Sequence, residues 1–534
     1  MSGDPAGRAG GAGDSRAAAS RSAEGRAAVS RADKNPAARR PNLLFLMTDQ
    51  QRADTITQGG PCLTPNLQAL ARAGADLRRC YAPNPICSPT RASLFTGLLP
   101  HAHGMTDVTH AVPPTQAELA PGLEFWTSRL KEAGYHTGYF GKWHVERSDE
   151  LERFGIDEYE VDLRLTGVAT HEGPLEPRIE IEQPGYQTFL LAGVADTPAD
   201  ATREAQLVDR GIEFLRAAAR GDAGRAAVGG ADTGRADAGG ANGGSADPWA
   251  LFISTEAPHD PYVVPRELYE RYDAAAIKLP ASFSDDLSDK PAVYRRIAAA
   301  WDDLSEEQVK QAIACYYAAC SGIDDQFGRL LAALEETGQA EDTLVVFTSD
   351  HGDYLGAHGL FLKGVPAFEE AYRMPLVVRG PGIAPGTVIE EPVSLLDLGR
   401  TLVTLLLGED FGGHGRDLSD RLRGGPPLDE PQAFAEFHGQ RLGYTQRIVW
   451  RERYKYVFNG FDDDELYDLR DDPHELTNLA KRPQSQDVLR EMAAAMWRVV
   501  KETGDDTLGK AEYGMFRFAP VGPGVTTDQR KGER

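Results

Sequence analysis

Five short stretches of this 534-residue chain carry side chains that could act together: Asp49-Gln50, Cys87 to Arg91, Lys142 with His144, His259, and Asp350-His351. Two acids, an amide oxygen and an imidazole suit a divalent cation, with Ca2+, Mg2+ or Mn2+ favoured by carboxylate-rich donor sets. They do not make a thiolate zinc site. In Cys87-Ser88-Pro89-Thr90-Arg91, Ser88 suits a helix cap, Pro89 the first helical position and Gly97 the end. Cys87 then stands just ahead of a helix N-terminus, where unpaired N–H groups and the dipole favour negative charge. A nucleophile attacking an anionic ester gains from that position, and Arg91 adds a permanent cation.

Each residue also has a plainer reading. A strand-terminal Asp before a turn is common, a lone His is usually a satisfied core or surface group, and a lone Lys is a solvated charge. The joint reading comes from the elements that deliver them. Mostly apolar runs without alternation at 42–48, 249–254 and 343–348 suit strands buried on both faces of a parallel sheet, and 137–140 reads as a further short strand. Each leads into one of the polar groups, and open parallel sheets bind ligands beyond the carboxyl ends of their strands.

Helical patterns at 67–73, 126–133, 202–219, 306–336 and 395–407 alternate with these strands and with another at 375–379. The alternation predicts an α/β fold: a large, mostly parallel central sheet flanked by helices. After a Gly/Pro/Asp-rich linker at 408–432, short strands at 447–450, 454–458 and 465–468 and a helix at 484–501 predict a smaller C-terminal α+β subdomain. Its sheet is expected to be short and antiparallel. The expected organisation is a disordered low-complexity tail over 1–40, a catalytic domain over 41–425 and a C-terminal subdomain and tail over 426–534. The Gly/Ala/Asp-rich stretch 220–247 reads as a flexible insertion.

A net charge of -24 argues against nucleic acid as a general partner but leaves room for a local cationic pocket. No run of 18 apolar residues is present, so no membrane span is expected. The first forty residues hold eight Lys+Arg and four Asp+Glu with no apolar core of a secretory signal. The five cysteines (Cys62, Cys80, Cys87, Cys315, Cys320) are odd in number and do not outline a disulfide framework. A cytoplasmic location is the expectation. The sequence leaves open whether the chain forms a homo-oligomer.

The same segments, in the same order, resemble the sulfatase family of the alkaline phosphatase-like superfamily. The resemblance runs from Pro41 to about Ala480. It includes the Cys87-x-Pro89-x-Arg91 motif, Gly141-Lys142-Trp143-His144, Pro258-His259-Asp260-Pro261 and Ser349-Asp350-His351-Gly352-Asp353. It continues through His358-Gly359 to Lys363 and Glu465-Leu466-Tyr467-Asp468. The resemblance implies that a formylglycine-generating enzyme converts Cys87 to formylglycine, whose hydrate attacks sulfur. A covalent sulfoenzyme would then form and release sulfate by elimination. By the same resemblance Asp49, Gln50, Asp350, His351 and the modified Cys87 hold one divalent metal, Ca2+ first. Arg91 and Lys142 stabilise the nucleophile, His144 is the base, and His259 and Lys363 bind sulfate and protonate the leaving oxygen.

The implied substrate is a small-molecule or carbohydrate sulfate ester, and its alcohol (aryl, carbohydrate or choline-like) is not encoded in these motifs. Two positions depart from the common family pattern: Gln50 stands where many members have a second Asp, and His351 where many have Asn. Asp-Gln with Asp-His also resembles phosphonate monoester hydrolases and choline sulfatases, so phosphonate monoester or phosphodiester hydrolysis is the alternative. A non-catalytic relative that only binds sulfated ligands would need a broken catalytic set, and none of the matched residues is missing. His101, His103 and His110 are further candidates for substrate contact.

Overall fold

In strand β1 (Asn42–Thr48), Leu43, Phe45 and Met47 face one side and Leu44 and Leu46 the other, all of them buried. A strand covered on both faces needs helices on both, which is what the rest of the chain supplies. The computed structural model describes residues 40–148, 150–161, 173–183, 186–222, 247–460, 462–509 and 519–525. The expected tail before residue 40 and most of the 220–247 insertion lie outside the described residues.

The remaining strands of the large sheet are β2 (Ala75–Leu77), β3 (His136–Gly141), β4 (Glu158–Val161), β5 (Trp249–Ser254), β6 (Thr343–Ser349), β7 (Leu376–Arg379) and β8 (Thr387–Ile389). Their order is β8-β2-β7-β6-β1-β5-β3-β4. Strands β6, β1, β5 and β3 are consecutive neighbours, every pair parallel. Only β7 runs against its two neighbours, so the sheet is mostly parallel.

Seven longer helices matter for the argument: α1 (Pro65–Ala73), α2 (Cys87–Thr96), α3 (Trp126–Glu132), α4 (Arg203–Ala219), α5 (Glu306–Glu336), α6 (Leu396–Leu407) and α7 (Gln486–Thr503). On one face of the sheet, Leu94 and Phe95 of α2, Trp126 of α3 and Leu402 of α6 pack against Phe45 and Phe252. On the other, Leu67 of α1, Leu215 of α4 and Phe327 of α5 pack against Leu44 and Leu46. Helix α5 starts on a capping box between Ser305 and Gln308, which satisfies backbone donors where the helical pattern begins.

A second sheet is an antiparallel meander of β9 (Gln432–Gln440), β10 (Leu442–Arg451), β11 (Tyr454–Asn459) and β12 (Glu465–Asp468). Helix α7 covers one face through Leu489, Met492 and Met496. The other face, with Ile448, Trp450 and Tyr467, shares a core with Tyr81, Tyr354, Leu360 and Tyr372. The described residues from Pro41 onward accordingly form one compact unit. Strand β9 was not anticipated, and the expected linker at 408–432 contains a short helix, Ser419–Leu422. Among the described residues no helix is long and apolar enough to cross a membrane.

Candidate active site

Because β6, β1, β5 and β3 are parallel neighbours, their carboxyl ends open on one edge, and the polar residues that follow them meet there. Gly141 closes β3 at φ +111°, where an added Cβ would collide with the Ser254 carbonyl oxygen. The next residue, Lys142, hydrogen-bonds its own N–H to that oxygen at 2.8 Å.

Helix α2 points its first turn at this edge. It begins at Cys87 itself, with Ile86 as the preceding cap position and no side-chain cap bond. The expected Ser88 cap is therefore replaced. Ser88 is fully buried and its Oγ accepts from Thr109 N at 3.2 Å, while Asn84 Oδ1 takes the N–H of Ile86 at 2.9 Å. The C-terminal end is as expected, with Gly97 left-handed at φ +68°.

Asp49, Cys87, Asp350 and His351 are all buried, and one ligand atom from each lies within 4.8 Å of the others. His351 Nε2 lies 3.4 Å from Asp49 Oδ1, and neither atom has a hydrogen-bond partner. Two unpartnered buried acceptors facing each other are what a cation would satisfy, so these residues fit a divalent metal. His351 Nδ1, bonded to Gly352 O at 3.1 Å, leaves Nε2 for that role.

Arg91 ties the centre together. Its Nε donates to Asp350 Oδ2 at 2.7 Å, and one terminal nitrogen reaches Lys142 O at 2.8 Å and Ser254 Oγ at 3.0 Å. The other lies 3.5 Å from Asp49 Oδ2, which also receives Lys142 Nζ at 2.5 Å. Burial pushes Asp49 up, but Lys142, His259, His351 and Arg91 outweigh it and hold the carboxyl well below the usual range. Burial likewise pushes the Cys87 thiol up to about 11, so the unmodified cysteine is a poor thiolate nucleophile at neutral pH.

His144 sits at φ +52° with both ring nitrogens buried and without a hydrogen-bond partner. Burial, then the charges of Lys142 and Arg91, push its pKa well below the ordinary value and keep the ring neutral. His259 donates through Nδ1 to Asp260 O at 2.6 Å, leaving Nε2 to accept from Lys363 Nζ at 2.6 Å. Burial lowers His259 to about 4, whereas Asp260 leads the charges that raise Lys363 above its usual value against burial. A proton in this pair therefore resides on Lys363.

All ten residues expected at the site lie at this edge. Gln50 differs in detail: its Oε1 accepts from Lys363 Nζ, and its Nε2 donates to Asp260 and Asp353. Asp353, two positions after His351, was not singled out as a site residue, although it lies inside the quoted Ser349-to-Asp353 stretch. Of the three further candidate histidines, His101 is bonded to Glu436 and Thr503 O, and His103 is fully buried against Ser93. His110 is exposed, with its ring 5.3 Å from that of His144. All five cysteines are buried and unpaired.

The sequence matches the Sulfatase family over residues 41–217 and 238–409, and the N-sulphoglucosamine sulphohydrolase C-terminal family over 356–502. It is 30% identical over 475 residues to the uncharacterized sulfatase YidJ of Escherichia coli (strain K12), covering 86% of each chain. It is also 30% identical over 479 residues to the choline-sulfatase of Rhizobium meliloti (strain 1021), covering 86% of this chain and 87% of that one. Among solved structures, the phosphonate monoester hydrolase SpPMH from Silicibacter pomeroyi superposes with a TM-score of 0.69 at 23% identity. That match covers 88% of this chain and 96% of the other. The chain belongs to the sulfatase family, within the alkaline phosphatase-like superfamily. It is a sulfuric ester hydrolase.

Proposed function

We propose that this sulfatase cleaves the sulfate ester of a small molecule or carbohydrate by the covalent formylglycine route, with one divalent cation at Asp49, Gln50, Asp350, His351 and matured Cys87. The observation that carries the reading is the buried quartet of ligand atoms, with Asp49 Oδ1 and His351 Nε2 unpartnered, at the start of the helix that bears Cys87. The cation, Ca2+ first with Mg2+ or Mn2+ as alternatives, supplies positive charge against the sulfate oxygens. Formylglycine supplies an oxygen nucleophile for sulfur and a second hydroxyl whose deprotonation lets sulfate leave without attack by water.

The chain's own residues do the rest. Lys142 and Arg91 keep Asp49 ionised, Arg91 also pairs with Asp350, and together they place two cations beside the nucleophile. His144, neutral and with free ring nitrogens, takes the proton in the release step. Lys363 carries the proton that the leaving oxygen needs, and His259 holds the ammonium in place through Nε2. A second reading, hydrolysis of a phosphonate monoester or phosphodiester at the same centre, rests on the pairing of Asp49-Gln50 with Asp350-His351.

Two measurements test the proposal. Peptide mass spectrometry of protein made with a formylglycine-generating enzyme is expected to show the Cys87 peptide, alone among the cysteine peptides, lightened by conversion of thiol to aldehyde. Side-by-side kcat/KM values on an aryl sulfate, choline sulfate, a phosphodiester and a phosphonate monoester then rank the esters. An unmodified Cys87 peptide in fully active enzyme would sink the formylglycine route. A higher kcat/KM on the phosphorus esters would replace the sulfate reading by the second one.

A further inference from the structure

A hairpin of the second sheet reaches across to the active site. Strands β9 and β10 are joined by a single residue, Arg441, at φ +63°, where glycine would be the unstrained choice. The register shifts between Phe437 and Gly439, a bulge of the kind that re-aims a strand end. Gln440 stands beside Gly364, the residue after Lys363: a Cβ added to Gly364 would lie 3.4 Å from Gln440 Oε1. Arg441 donates its backbone N–H to Asp107 Oδ2 at 2.6 Å, which holds the left-handed turn. Asp107 begins the loop that runs past the nucleophile. Thr109 N bonds to Ser88 Oγ, one residue after Cys87, and the His110 ring lies 5.3 Å from that of His144. Arg441 therefore stands on an arc of contacts that leads from Lys363 round to His144.

The charges on this arc are uneven. Arg441 is exposed, and among the described residues no carboxylate lies in ion-pair range of its guanidinium. Asp107, the acid that it touches, is buried and spends its two oxygens on the backbone N–H groups of Val108 and Arg441. Arg147 is a second cation here: its guanidinium donates to Val112 O, and its charge bears on His110. Glu146, the acid beside it, is paired with Arg153. The buried centre holds the sulfate, so the alcohol of a bound ester has to project toward these exposed residues.

We propose that Arg441 is a specificity-determining residue that binds an anionic group, a carboxylate or a second sulfate, on the alcohol of the sulfate ester, so that esters of acidic alcohols are preferred. The inference rests on the reading of the centre as a sulfate ester hydrolase. A guanidinium presents a planar fork of donors that matches carboxylate or sulfate oxygens. On a chain of net charge -24 an anionic substrate is repelled at long range, and an unpaired cation at the mouth offsets that where it matters. Because Asp107 already fixes the turn, less freedom is lost when Arg441 engages the ligand.

The test uses three aryl sulfates that differ only in a ring substituent, set off by a methylene and ending in a carboxylate, a methyl or a trimethylammonium group. With formylglycine-bearing wild type, kcat/KM is expected to be highest for the carboxylate and lowest for the ammonium. Arg441→Ala is expected to lower the carboxylate-to-methyl ratio of kcat/KM about tenfold, and Arg441→Glu to reverse the order of the three esters. Arg441→Lys, which keeps the charge but not the fork, is expected to retain part of the preference. Higher ionic strength is expected to shrink it in the wild type.

Ratios between esters cancel the intrinsic reactivity of each ester and any loss of folded or matured enzyme, so a less stable variant can still be read. Carboxylate-to-methyl ratios that stay within twofold of wild type in both Arg441→Ala and Arg441→Glu would overturn the inference. So would a wild type with a higher kcat/KM on the ammonium ester than on the carboxylate. Absence of turnover on all three esters in formylglycine-bearing wild type would instead overturn the sulfate ester reading on which the inference stands.

Discussion

Arg91 Nε lies 2.7 Å from Asp350 Oδ2, with both side chains fully buried, so the nucleophile's helix is fastened to the end of β6 by a charge-assisted bond. The same guanidinium reaches Asp49, Lys142 O and Ser254 Oγ, so it touches residues at the ends of β1, β3, β5 and β6. Arg91→Ala leaves Asp350 buried without the guanidinium that pairs with it and takes from Asp49 the weaker of its two neighbouring cations, Lys142 remaining. It is expected to lower stability by about 3–5 kcal/mol, read from denaturant midpoints. Arg91→Lys keeps the charge but not the fork, and is expected to lose most activity while recovering part of the stability. The Cys87 peptide mass, measured alongside, separates lost catalysis from lost maturation.

Removal of the cation provides an independent test. Chelation is expected to abolish turnover, with Ca2+ restoring it in preference to Mg2+ or Mn2+. At a cation concentration about a hundred times its dissociation constant, binding adds about 2.7 kcal/mol of stability, visible as a higher Tm in calorimetry. Asp49→Asn and His351→Ala are expected to remove both effects together, because they own the two unpartnered atoms that face each other. An unchanged Tm in the wild type across all three cations would contradict the metal assignment.

Gly141→Ala tests how the sheet edge places Lys142. At φ +111°, with the Ser254 carbonyl where a Cβ would go, alanine forces the end of β3 away from β5. Lys142 Nζ then leaves Asp49 Oδ2, and kcat is expected to fall about 100-fold from misplacement alone. The circular dichroism spectrum should stay that of the wild type, since only one strand end moves. Activity within twofold of wild type would show that the strand end can relax without moving the lysine.

How much of this was legible follows from the physics of each segment. Three of the four site-bearing strands announce themselves because strands buried on both faces are mostly apolar, and the polar residues that end them stand out; the fourth, His136–Gly141, is marked by its place between a helix and Lys142. Strand β9 was hidden because its middle carries Glu436, a charge that sequence patterning assigns to solvent. Glu436 is buried only because His101, His438 and Arg447 surround it, two of them brought from other elements by the fold. Ser88 misled for a similar reason: a serine beside a proline is a good local cap, but the fold gave its hydroxyl to Thr109 N. The hydrogen bonds from Gln50 Nε2 to Asp260 and Asp353 were also illegible, since the three residues are brought together only by the convergence of β1, β5 and β6.

His103 supplies a pH test away from the catalytic centre. It is fully buried, bonded to Ser93 Oγ at 2.9 Å and to Met105 N at 3.1 Å. Burial, assisted by the neighbouring His101 and His438 and opposed by Glu436, lowers it to about 3. Its folded pKa is thus depressed below the ordinary value of about 6.5, so its contribution is fully present above pH 6.5 or so. As pH falls, the unfolded chain binds a proton that the folded one refuses, and stability drops by about 1.4 kcal/mol per pH unit. His103→Asn keeps an acceptor for Met105 N but cannot titrate. The difference in unfolding free energy between wild type and this variant should therefore slope by that amount between about pH 6 and pH 4. His101 and Glu436 remain in both proteins and largely cancel in the difference. A flat difference over that range would mean that His103 takes up its proton in the folded state, by opening to solvent or by turning toward Glu436.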